Sequence, residues 1–112
     1  MRLLTASAFA ACVVVPPAFA GTTCNFNIEC YMTEPCEGSG WELTVDMDAG
    51  TLSTIFGDLE VLHIEAGPAP QVSARGDGAL YLLTIGKEIS FLTTHIAADP
   101  ATITYVGECF TE

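Results

Sequence analysis

From Trp41 to Met47 the chain alternates without a break, with Trp41, Leu43, Val45 and Met47 on one side and Glu42, Thr44 and Asp46 on the other. A period of two with one wet face predicts a strand. A weaker alternation, Phe26 and Ile28 beside two cysteines, predicts a first strand over about Thr23–Tyr31. Between them Thr33–Gly40 (TEPCEGSG) clusters Pro, Gly and Ser and reads as a loop. Asp48-Ala49-Gly50 predicts a hairpin turn into Thr51–Phe56, and Gly57-Asp58 a second turn into Leu59–Ala66. In that last segment the phase slips. Leu59 and Val61 face one way and Leu62, Ile64 and Ala66 the other, which a β-bulge near Val61-Leu62 reconciles. Gly67-Pro68-Ala69-Pro70 is a break, because prolines do not serve an interior ladder. Gln71–Arg75 follows as a short strand, and Gly76-Asp77-Gly78 as a tight turn.

Beyond that turn, Gly78–Phe110 holds three apolar, β-branched and aromatic runs, separated by Gly86-Lys87-Glu88 and Ala98-Asp99-Pro100. In the first run Tyr81, Leu83 and Ile85 oppose Leu80 and Leu82, a pattern expected of a strand buried on both faces or placed where a sheet curls. Trp41 is expected to plug the core. Turn signals recur about every eight to twelve residues, and no helical period appears. The expected fold is all-β: one small antiparallel β-barrel or sandwich of about eight short strands.

The chain's start changes the compartment. MRLLTASAFAACVVVPPAFAG has basic Arg2, an apolar run from Leu3 to Val15 and small residues before Gly21, the pattern of a signal peptide cleaved after Ala20. The run is shorter than the ~20 apolar residues of a spanning helix. A lipoprotein reading of Cys12 is the lesser alternative. The expected organisation is therefore residues 1–20 as signal peptide and 21–112 as a single β domain, periplasmic or extracellular, with no stable membrane insertion after cleavage.

Charge and cysteines follow from that cut. The formal net charge is −11, and losing Arg2 leaves Arg75 and Lys87 against fourteen acids, or −12. Such a surface repels nucleic acid and favours a basic protein as partner. Of five cysteines, Cys12 leaves with the signal, and Cys24, Cys30, Cys36 and Cys109 remain as two disulfides. Cys24 and Cys30 lie on one expected strand, about 20 Å apart if extended, too far to bridge. The favoured pairing is Cys30–Cys36 with Cys24–Cys109. The swapped pairing, Cys24–Cys36 with Cys30–Cys109, stays open.

The Cys-x5-Cys-x5-Cys head leading into Trp41-Glu42-Leu43, together with the tail Ile103-Thr104-Tyr105-Val106-Gly107-Glu108-Cys109, resembles small exported disulfide-containing β-proteins of Gram-negative bacteria. The resemblance implies a fold and a compartment. In size and cysteine use the chain is also similar to periplasmic lysozyme inhibitors of the small β-barrel kind. Those present a Ser- or Lys-bearing loop motif to the lysozyme cleft, a motif this chain does not carry.

Candidate chemistry is sparse. Gly38-Ser39-Gly40 lacks the spacing of a nucleophile elbow and precedes a strand instead of a helix. His63 and His95 stand singly on separate strands, without a second histidine at ligand spacing. Asp46-Met47-Asp48-Ala49-Gly50 begins like a calcium loop, but its glycine comes one residue early and Gly57 stands where the twelfth-position Glu belongs. Arg75 reads as a solvent-facing charge beside a turn. No cofactor and no metal are expected. The expected function is a non-enzymatic acidic domain that binds a protein or ligand, with Glu34, Glu37 and Ser39 as the possible binding surface. The alternatives are an inhibitor of a basic hydrolase such as lysozyme, a small-ligand carrier using a barrel interior, and an enzyme using His63 or His95 with an acidic neighbour.

Overall fold

The structure, a computed structural model, describes residues 21–111. The expected signal peptide and Cys12 lie outside the described residues. The chain forms eight strands: β1 (Thr22–Tyr31), β2 (Glu37–Asp46), β3 (Thr51–Thr54), β4 (Gly57–Glu65), β5 (Gln71–Gly76), β6 (Ala79–Thr84), β7 (Ser90–Ile96) and β8 (Ala101–Thr111). Each pairs antiparallel with its sequence neighbour, and β8 returns to pair with β1, closing a barrel. Closure decides between barrel and sandwich, and removes every open edge.

Inward positions follow the period of two. Cys24, Phe26, Leu43, Val45, Leu52, Val72, Ala74, Leu83 and Leu92 are almost wholly buried. They fill the middle of the barrel, and each large aliphatic side chain so buried is worth roughly 1.5–3 kcal/mol of transfer free energy. The expected bulge is present, with the β4–β5 register shifting between Val61 and His63. A second irregularity falls between Phe26 and Ile28, on both flanks of β1. Opposite it stands Gly107. A Cβ there would overlap the Asn25 carbonyl oxygen and come within 2.6 Å of Phe26 Cα. Only glycine lets the two backbones approach this closely.

Both disulfides take the favoured pairing, Cys24–Cys109 and Cys30–Cys36. Cys24 and Cys109 are opposite partners across the β1–β8 seam, with Cα atoms 3.9 Å apart. Two disulfides belong to an oxidising compartment.

Several sequence boundaries move. Glu37–Gly40, expected as loop, is strand, because the Cys30–Cys36 bridge brings it beside β1, where Glu37 pairs with Glu29 and Gly38 with Ile28. The strand expected to run to Phe56 stops at Thr54. The Thr54 hydroxyl donates to the Gly57 carbonyl and accepts from Phe56 N–H, so the turn forms at Ile55-Phe56 and Gly57 already belongs to β4. β6 is buried on one face only: Leu80 and Leu82 are 53% and 42% exposed on the outer wall. Phe91 also faces outward.

Candidate functional site

Alternating strand directions sort the connections between two ends of the barrel. One end carries residues 47–50, 66–70 and 85–89 together with both ends of the described chain. The other, the mouth, carries residues 32–36, 55–56, 77–78 and 97–100. At the mouth the aliphatic core gives way to aromatic rings. Tyr105 is stacked on Trp41 at 5.2 Å between centroids and tilted against Phe26 at 6.0 Å. Phe26 is buried, Tyr105 nearly so and Trp41 half-buried, so the rings step from core to rim. Trp41 therefore caps the core while keeping one side exposed.

Above these rings lies a cavity of about 210 Å³, walled by Trp41, Tyr81, Tyr105, Ile96 and Ile103, floored in part by Thr94, and edged by Phe56 and Asp77. Phe56 sits on its turn with 74% of its surface exposed. Asp77 and Gly78 both have positive φ, 53° and 73°, the geometry of a primed hairpin turn, which holds Asp77 at the rim. Thr94 is 5% exposed and its Oγ1 has no hydrogen-bond partner. An orphaned buried hydroxyl costs about 1–3 kcal/mol, and buried polar groups in folded proteins nearly always find a partner.

The electrostatics of the mouth are one-sided. Burial raises the Tyr105 phenol above its usual range, and the neighbouring Glu29 carboxylate and Tyr81 raise it further. Burial likewise raises Tyr81, reinforced by Asp77. Glu29 is the cross-strand partner of Tyr105 on one side and of Glu37 on the other. Two carboxylates directly opposite each other oppose folding. Arg75, the cation nearest this end among the described residues, is held outside the wall on Glu60, Nε to Oε1 2.9 Å.

The residues singled out from sequence divide. Glu34 and Glu37 are exposed at the mouth end on either side of Cys36, and the Ser39 hydroxyl accepts from Trp41 N–H at 3.2 Å. Ser39 thus helps to position Trp41 in the aromatic wall. His63 pairs with Glu65 at 2.9 Å, but both side chains are more than two thirds exposed on an open wall. His95 lies on β7, three strands away, beside a more open outer concavity of about 680 Å³ shared with Asp58, Glu60, Arg75 and Leu80. Neither histidine is enclosed, so neither has the water-excluded setting that acid–base chemistry exploits. Asp46 Oδ1 accepts from Asp48 N–H and Ala49 N–H, both at 3.0 Å, so its carboxylate caps a turn. Among the described residues no group of three or more His, Cys, Asp or Glu is placed to hold a metal.

Sequence reasoning placed the binding surface on the acidic loop and missed Tyr81 and Tyr105. The available signal was that the inward phases of β2, β6 and β8 each reach an aromatic residue toward the same end. Comparison with protein families, with characterised proteins and with solved structures finds no match for this chain.

Proposed function

We propose that this protein is an exported, non-enzymatic acidic β-domain that binds a ligand through the aromatic mouth of its barrel. The observation that carries the reading is the contrast between the two parts of the interior. The middle is closed by aliphatic side chains with essentially no exposure, whereas the mouth leaves a walled cavity with exposed Phe56 above it and an orphaned hydroxyl below. Cavities beside aromatic walls with a few convergent polar groups are the usual form of ligand sites. At about 210 Å³ this one is smaller than the roughly 300–1,000 Å³ of drug-sized pockets. It suits a head group or a side chain, not a whole enclosed cargo.

Export is supported by the apolar leader and by the two disulfides. The test of function uses the mature protein on a small-molecule extract of the exporting cell, followed by Trp41 emission. Trp41 is the single tryptophan of the chain and forms the cavity wall, so a mouth ligand shifts its emission in at least one fraction. No shift in any fraction, combined with salt-reversible capture of a basic protein that survives a Phe56→Ser change, would move the function to the acidic outer wall.

A further inference from the structure

We infer that the mouth takes a small organic ammonium ion, its charged head against Trp41, Tyr81 and Tyr105 and within the field of Glu29 and Asp77. The inference rests on the mouth being the binding site and adds the chemical class of its occupant.

Three independent features select that class. Aromatic faces carry negative π density and attract ammonium groups, Trp most strongly. Among the described residues no Lys or Arg lines the cavity: Asp77 stands on its rim, Glu29 lies beside Tyr105 and opposes Glu37 across the ladder, and Arg75 is engaged by Glu60 on the outer wall. An arriving cation relieves the Glu29–Glu37 repulsion, which a neutral or anionic ligand does not. The third feature is Thr94. It lines the cavity while its unpartnered Oγ1 is turned away from solvent, so a rotation about χ1 would bring the hydroxyl round to accept from an O–H or N–H of a ligand whose head occupies the rings. The occupant is thus a cation compact enough for the cavity, with one donor a few bonds from its charge.

Choline and its neutral isostere 3,3-dimethylbutan-1-ol share a shape and a hydroxyl and differ in charge. Titrated into the mature protein at low ionic strength, choline is expected to change Trp41 emission saturably, with the neutral alcohol roughly tenfold weaker or more. Glu29→Gln should weaken choline several-fold, and less so as salt is raised. Thr94→Val should also weaken choline several-fold while raising Tm, because it removes an orphaned hydroxyl without changing side-chain shape. Opposite signs on binding and stability are what a purely structural Thr94 would not produce. Equal affinity for choline and the alcohol would overturn the ammonium assignment while leaving the mouth as an apolar ligand site. Absence of response to either probe would also overturn it, and the extract experiment above then decides separately whether the mouth binds anything.

Discussion

Gly107 shows how much can hang on one missing side chain. It occupies the point where β1 takes its irregular step past Phe26, and there is no room for a methyl between the two backbones. Because the obstructing atoms are main chain and cannot swing aside, Gly107→Ala has to open the seam locally. A loss of about 2–4 kcal/mol is expected, in the range of overpacked or strained core positions, read as a lowered denaturation midpoint with unchanged slope. The tyrosines provide a second residue-scale test. Both mouth phenols titrate above their usual value of 10.0, first because they are buried and then because carboxylates lie near. Raised folded pKa values mean the folded state keeps these protons longer than the unfolded chain. The stabilisation is complete below about pH 10 and is lost as pH rises through the folded values. Melting temperature should fall across that window, and Tyr81→Phe should flatten the fall.

At the scale of elements, the sequence announced most of what the chain does. The clean alternation of β2, the turn residues at Asp77-Gly78 and the phase slip near Leu62 are local signals, and each appears in the structure where the pattern put it. What failed depended on the other strand. Gly38 and Gly40 look like loop until the Cys30–Cys36 bridge sets their segment against β1. Leu80 and Leu82 look buried because composition does not say which side of a strand meets solvent. The two disulfides should differ in worth for the same reason of connectivity. Cys24–Cys109 spans 85 residues and Cys30–Cys36 spans six, so chain entropy assigns them roughly 4.5 and 2 kcal/mol. Replacing Cys24 and Cys109 together by Ala should therefore lower Tm markedly more than replacing Cys30 and Cys36. The short-loop pair has a distinct expected cost, since losing it frees the strand start that carries Glu37 and weakens any ligand held at the mouth.

For the molecule as a whole, alternation establishes that one face of each strand is buried but not that the first strand meets the last. A sandwich and a barrel share the same periodicity, and only the Cys24–Cys109 pairing hinted at closure. The mouth was illegible for a related reason: Trp41, Tyr81 and Tyr105 are far apart in sequence and converge only once eight strands have gone round. Seven of the eight strand pairings can zip outward from a turn joining neighbours. The eighth, β1 with β8, has no such turn. It must wait until the rest of the chain is in place, because contacts between distant segments come late and at an entropic cost. Until then β1 and β8 are bare edges able to pair with strands of other molecules. The last strand is thus a latch: it finishes the wall, brings Tyr105 to the mouth, and carries the cysteine that locks the seam from inside. A chain that stops short of Ala101 would be missing more than one stave in eight. It would have neither a closed wall nor a binding end, so completion of the shape and gain of function arrive in a single step.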